Sequence, residues 1–204
     1  MDNLEREYNK SLIHYKAARR KVMAVIENLE ELLEVRYDRD IINSIKTRIK
    51  EFDSAIEKCE RKGYTEIENF GIDVIKENLL DIAGIRVITV YRSDVYVIYE
   101  AIKQTDLIIS KVNDYIEHPK ESGYRSLHII FSVPVSTDNG TILVPVELQL
   151  RDIIMNTWAT IDHDFRYKNE NPDPEAVALL QDMSLAMRKH DDEAERIRAK
   201  KPAT

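Results

Sequence analysis

Glycine and proline are absent from the first 62 residues, so nothing there forces a turn or breaks a helix. Cysteine occurs once, at Cys59, which excludes an internal disulfide framework and suits a reducing compartment. No apolar run approaches the roughly 20 residues of a membrane-spanning helix. The opening MDNLEREYNK has no apolar signal core, so a cytoplasmic protein with no membrane partner is expected. GxxxxGK[ST], GxGxxG and GxSxG are all missing, which leaves P-loop, dinucleotide-binding and serine-hydrolase chemistries without support.

What the chain does have is charge: 33% of its 204 residues are Asp, Glu, Lys or Arg, with a net charge of -7 and 43% hydrophobic residues. That length and core content suit one domain spanning 1–204 with helical additions. The negative balance does not indicate RNA or DNA binding, so any anion site must be a local basic cluster. Two pairings, His163-Asp164 and His190-Asp191-Asp192, look like pieces of a metal phosphohydrolase. The five histidines lack the consistent ligand spacing that such a centre needs.

Periodicity divides the chain. Val22, Val25, Leu29 and Leu32 recur at helical spacing and predict a helix over about 1–37. Ile42, Ile45, Ile49, Phe52, Ile56 and Cys59 fall in one arc and predict a second helix over about 40–62, stopped by Gly63. Residues 64–80 read as a connector with a short helix. GIRVITVY (84–91) is a β-branched run typical of a buried strand. Helical pattern returns at 92–104, followed by strands at 107–116, 125–135 and 141–150, the last two joined by TDNG. Helices close the chain at about 151–168 and 174–200, separated by NPDP. The order predicts an α+β fold, a mixed sheet with helices packed around it.

Within VPVELQLR (144–151), Val144, Val146, Leu148 and Leu150 alternate with Glu147, Gln149 and Arg151. The three polar groups therefore share one face, about 7 Å between alternate residues. Pro145 suggests an edge or bulge. In ESGYRSLHIIFSV (121–133), Tyr124, Ser126 and His128 share the face opposite Leu127, Ile129, Phe131 and Val133. A hairpin of suitable register would bring them beside Glu147 and Gln149. On a helix over 40–62, Lys50, Lys58 and Arg61 share an arc that fits either an anion site or a solvated face, with Arg48 at its border. Asp81 precedes the first strand and Arg86 lies in it; with Glu147, Asp81 offers oxygen ligands for Mg²⁺.

DIAGIRV (81–87), ESGYRSLH (121–128), VELQLRD (146–152) and MNTWATIDHDFRYK (155–168), in that order, closely resemble the synthetase domain of the RelA/SpoT superfamily. The match is best to its stand-alone small alarmone synthetases and covers about 40–168. The resemblance implies a nucleotidyltransferase-like mixed sheet of about five strands with long N- and C-terminal helices. It implies transfer of a diphosphate from ATP to the 3′-hydroxyl of GDP or GTP with Mg²⁺, giving AMP and ppGpp or pppGpp. By position it implies Asp81 and Glu147 as the metal-holding and catalytic carboxylates. Arg48 and Arg86 would enclose adenine, and Lys50, Lys58 and Arg61 would hold the ATP phosphates. Tyr124 would stack on guanine, with Arg125, Ser126, His128, Gln149 and Arg151 on the guanine-nucleotide side. It further implies a homotetramer built by the helices at 1–37 and 174–200, without the attached hydrolase and regulatory domains of larger members. Alternatives of the same fold are a pyrophosphokinase acting on tRNA 3′ ends, which needs a basic patch at odds with the charge of -7, and a non-catalytic nucleotide- or RNA-binding regulator.

Overall fold

The computed structural model describes residues 2–166, 169 and 171–200. Helix α1 (Asp2–Tyr37) buries Tyr8, Leu12, Tyr15, Ala18, Val22, Ile26, Leu29 and Leu33 at three- and four-residue spacing. This single stripe lies across the core face of the sheet. The helix ends at Asp38, whose positive φ of 50° is the left-handed turn that an Asp side chain tolerates.

The predicted second helix is a strand followed by a helix. Strand β1 (Ile42–Ile49) precedes α2 (Phe52–Arg61). The apolar arc over 42–59 was a coincidence of periods. Ile42, Ile45, Thr47 and Ile49 are β-branched and stiff at χ1, and they take the free edge of the next strand. Gly63, at φ 70°, does end α2 as expected. A 3₁₀ turn (Tyr64–Glu66) and the short helix α3 (Ile72–Asn78) lead to β2 (Ala83–Thr89). Then follow α4 (Arg92–Ile102), β3 (Ile109–Asp114), β4 (Leu127–Thr137), β5 (Gly140–Asp152), α5 (Ile153–Arg166) and α6 (Pro174–Arg198). The last two residues of the helix predicted over 151–168 lie outside the described residues.

The five strands form one mixed sheet in the order β1-β2-β5-β4-β3, as the α+β expectation required. Only the β2–β5 pairing is parallel. Pro145 lies ahead of the residues of β5 that pair with β2, where the strand is bordered by β4 alone, so its missing N–H breaks no ladder on the open side. The core face carries Ile85, Val87, Leu127, Ile129, Phe131, Val146, Leu148 and Leu150, all buried.

Buried ion pairs tie the terminal helices to this body. Asp94 at the start of α4 accepts from Arg39 at 2.5 and 2.9 Å and pairs with Arg198 of α6 at 2.9 Å. Asp152 caps α5 by accepting from the Met155 N–H at 2.7 Å. It is buried beside Asp191 of α6, which is paired with Arg125. Asp173 caps α6, with Pro174 in the first turn where no N–H is needed.

Burial, then the Asp191 carboxylate, push the Asp152 carboxyl up to about 7, against the Met155 N–H and Arg125. The folded chain therefore keeps a proton there that the unfolded chain loses above about pH 4. Stability from this group is present below about pH 4 and lost as pH rises to about 7. Asp152→Asn keeps the cap and removes the titration. Its unfolding free energy relative to the parent, from urea melts, should improve from about pH 5 to 7.5, by no more than about 1.4 kcal/mol per pH unit. A difference that does not vary with pH would refute the raised Asp152 carboxyl.

Candidate active site

Side-chain alternation on β5 turns Glu147, Gln149 and Arg151 away from the core, and strand register decides what stands beside them. Arg48, Gly84 and Glu147 are partners across β1, β2 and β5. One step along, Lys46, Arg86, Gln149 and His128 are partners across β1, β2, β5 and β4. Two rows of polar side chains thus cross the sheet on one face.

The second row closes into a ring of hydrogen bonds. Arg151 donates to the Tyr124 hydroxyl at 2.6 Å and to the Gln149 carbonyl at 3.1 Å. Tyr124 and His128 Nε2 are 2.8 Å apart, and His128 Nδ1 is 3.0 Å from Glu147 Oε1. Gln149 donates to Glu147 Oε2 at 2.8 Å. A single assignment of hydrogens satisfies every link: Tyr124 O–H donates to Nε2, and Nδ1–H donates to Glu147. Both branches then end on the same carboxylate. Burial pushes the Glu147 carboxyl up; the hydrogen bonds from His128 and from the Gln149 amide outweigh it and hold it below the usual carboxylate range. Glu147 is thereby an ionised acceptor at neutral pH.

A second centre forms at Asp81, in the turn before β2. Its Oδ2 faces Lys58 at 2.8 Å, Lys50 at 3.2 Å and Arg48 at 3.4 Å. Burial raises this carboxyl as well, but Lys50 and Lys58, with Arg48, hold it below the ordinary range. Burial lowers the Lys50 ammonium. Asp81 Oδ1 is buried without a hydrogen-bond partner. The two centres are linked: Arg48, Arg86, Gly84 and Glu147 line one recess, and Glu147 feels the charge of Asp81. An oxygen with no donor, within electrostatic reach of a second carboxylate, suits a hard divalent cation that takes few protein ligands and completes its shell with phosphate and water. No group of three or more acidic, His or Cys side chains forms a metal cluster among the described residues.

Gly84 forms the floor between Arg48 and Arg86. A Cβ there would sit 3.3 Å from Arg48 Cγ and Nε. Arg48 and Arg86 are diagonal neighbours on adjacent strands, about 7–8 Å apart at the backbone. Two guanidinium planes at that spacing leave room for one flat ring between them. Burial, then the nearby Arg151, lower the Arg86 guanidinium, and its Nε is buried without a partner.

Of the residues singled out in the sequence, Asp81, Arg48, Lys50 and Lys58 come together, and Arg86, Tyr124, His128, Glu147, Gln149 and Arg151 share the adjoining face. The supposed helical arc of Lys50, Lys58 and Arg61 does not exist, because Lys50 follows β1 and only Lys58 and Arg61 lie on α2. Arg61 is exposed and stands outside the Asp81 cluster. Arg125 is turned to the buried Asp191 instead. Ser126 is buried and donates to the Leu150 carbonyl at 3.1 Å. Sequence reasoning passed over Lys120 and Tyr115. Lys120 Nζ lies 5.1 Å from the Tyr124 ring centroid and 4.5 Å from that of Tyr115. The adjacency of Lys120 to the Ser-Gly-Tyr turn was the signal available.

Comparison with known proteins bears on this site. Residues 47–172 match the model of the region found in RelA / SpoT proteins. The GTP pyrophosphokinase YwaC of Bacillus subtilis is 36% identical over 87% of this chain and 84% of its own length. The small alarmone synthetase 1 of Bacillus subtilis, bound to its product pppGpp, superposes with a TM-score of 0.84 at 31% identity, over 95% of this chain and 97% of that one. The same protein bound to AMPCPP gives a TM-score of 0.75 at 27% identity, over 95% and 97%.

Asp81→Asn should leave Lys50, whose side chain is only 10% exposed, without its counter-charge. Urea unfolding at low ionic strength should show a loss of about 2–4 kcal/mol, partly restored by sulfate. An unchanged midpoint would show that the cations do not depend on this carboxylate.

Proposed function

The chain belongs to the RelA/SpoT family, and we propose that it is a (p)ppGpp synthetase: it transfers the β,γ-diphosphate of ATP to the 3′-hydroxyl of GDP or GTP, releasing AMP. The observation that carries this reading is the pairing of two centres on one sheet face. An ionised, doubly hydrogen-bonded Glu147 stands beside a cation cluster gathered on Asp81.

Each part has a role in that chemistry. The recess between Arg48 and Arg86 takes the adenine ring, by stacking and cation–π attraction. Lys50 and Lys58 move from Asp81 to the donor phosphates, exchanging one anion for a stronger one. Tyr124 offers its ring to guanine, and Arg151 and Lys120 lie near enough to meet acceptor phosphates. The 3′-oxygen attacks the β-phosphorus in line as the bond to the α-phosphate oxygen breaks, so AMP carries away the bridging oxygen. Glu147 accepts the 3′-hydroxyl hydrogen bond and takes the proton late, because its lowered pKa makes it too weak a base to ionise an alcohol in advance. Mg²⁺, held by Asp81 and Glu147 with substrate phosphates, would supply charge neutralisation for the transferring group.

The whole of 1–204 is read as one synthetase unit with its core at about 40–168. Exposed Ile13, Leu32 and Val35 on α1, and Leu179, Leu185 and Ile197 on α6, support assembly of the terminal helices into a homotetramer. No helix among the described residues is long and apolar enough to cross a membrane, which is compatible with a cytoplasmic enzyme.

Purified protein with labelled ATP should form AMP together with a guanosine tetra- or pentaphosphate, and only with a guanine nucleotide and Mg²⁺ present. Thin-layer separation of products from GMP, GDP and GTP reads this directly. No labelled product from any acceptor would sink the assignment. Glu147→Gln should lower kcat by at least about a thousandfold with an unchanged melting temperature. Gly84→Ala, by displacing Arg48, should raise KM for ATP about five- to tenfold while KM for the acceptor stays within about twofold. An equal rise in both would place the adenine elsewhere.

A further inference from the structure

Tyr124, the residue read above as the guanine platform, is tied to the strands through its hydroxyl, by Arg151 and His128, but its backbone lies in the loop ahead of β4. The 120–124 turn closes on itself through Gly123 N–H to the Lys120 carbonyl at 2.8 Å and Lys120 N–H to the Tyr124 carbonyl at 3.2 Å. Two further contacts to its backbone come from α6. Ser184 donates to the Gly123 carbonyl at 2.7 Å, and Gln181 donates to the Glu121 carbonyl at 3.3 Å. On the other side of Tyr124, Arg125 is paired with Asp191 where both are about 95% or more buried.

Ser184 and Asp191 are seven residues apart, two turns along one helix face, about 10 Å. They anchor the residues immediately before and after Tyr124. Gly123 has φ 89°, and a Cβ on it would lie 2.6 Å from Ser184 Cβ and Oγ and 3.7 Å from the Trp158 ring. The loop is thus fitted to α6 with no room for a side chain. Trp158 completes the clamp: its indole N–H donates to the Leu180 carbonyl at 2.7 Å, and its ring is 6.5 Å from that of Tyr124.

We infer that Ser184 and Asp191 are positioning residues for the acceptor nucleotide, holding the backbone of the 120–126 segment so that Tyr124 presents its ring to guanine. This rests on the proposed synthetase reading. It adds that α6, which carries none of the residues assigned to either substrate, sets acceptor affinity. Whatever displaces α6 loosens the acceptor side and leaves the adenine recess between β1 and β2 unaffected.

The test uses Ser184→Ala, which removes the hydroxyl and favours the helix, and Asp191→Asn, which removes one of two crowded carboxylates. Ser184→Thr restores a hydroxyl, with an open groove alongside for its methyl group. In steady state, Ser184→Ala and Asp191→Asn should each raise KM for the guanine nucleotide about five- to tenfold, the loss of one hydrogen bond or ion-pair contribution. KM for ATP and kcat should stay within about twofold, and Ser184→Thr should return towards the parent.

A second readout needs no turnover. Trp158 is the only tryptophan, so its fluorescence, titrated with GDP or GTP without ATP, should report the same weakening of Kd. A parent response shared unchanged by Ser184→Ala and Asp191→Asn would overturn the positioning role alone, as would equal rises in both KM values. A parent protein that responds to no guanine nucleotide and forms no product would overturn the acceptor reading and this inference with it.

Discussion

The period-two alternation of β5 is the constraint on which everything else in the molecule depends. The strand is central, bordered by β2 on one side and β4 on the other, so its two faces have different fates. Val144, Val146, Leu148 and Leu150 are committed to the core beneath α1, and a slip of one residue would bury Glu147, Gln149 and Arg151. The core therefore fixes the register of the reactive face. Because β2 runs parallel and β4 antiparallel to β5, the same three positions meet Gly84 and Arg86 on one flank and His128 on the other.

Electrostatics near that face are arranged around a buried carboxylate, Asp81, and a half-buried one, Glu147, in a protein of net charge -7. Both would be pushed towards protonation by burial, and both are held ionised by different means. Asp81 is surrounded by cations, whereas Glu147 receives directed hydrogen bonds. The difference matters for chemistry. Cations gathered on a single oxygen are free to transfer to incoming phosphates, while a hydrogen-bonded carboxylate keeps its place and orientation. The overall negative charge does not oppose anion binding here, because the cations are local and short-range attraction within a half-buried recess outweighs screened distant charge.

The helices that begin and end the chain act on this sheet in different ways. α1 supplies the apolar lid of the core, and its Tyr8 hydroxyl donates to the Lys50 carbonyl at 2.8 Å, next to the cation cluster. α6 packs on α5 and reaches the loop before β4 through Ser184, Gln181 and Asp191. The Asp81 cluster is thus braced by α1 and the Tyr124 loop by α6.

Much of this was legible in the residues themselves. Local patterns are enough where one face of an element is buried along most of its length, as in α1, β4 and β5, or nearly the whole strand is, as in β2, and where a turn is written in residue types, as at TDNG and NPDP. The alternation of VELQLR placed Glu147, Gln149 and Arg151 on one face without any tertiary knowledge. Residues 42–62 failed because the three-residue step from Ile42 to Ile45 reads as helical, whereas in the strand a register shift between Ile42 and Ser44 puts both on one face. Only the open edge of β2, a feature of the folded sheet, selects the strand. The cations misassigned to one helical arc reach Asp81 from a strand end and a helix, a convergence that no one-dimensional spacing encodes. Arg125 and Ser126 shared a motif with Tyr124, but burial against α6 and β5 turned them to structural partners. Sequence by itself thus determined which faces are apolar and which polar side chains share a strand face, since these follow from local periodicity. Tertiary structure alone decided which of those residues meet, because contact across strands depends on register and sheet order set by the whole core.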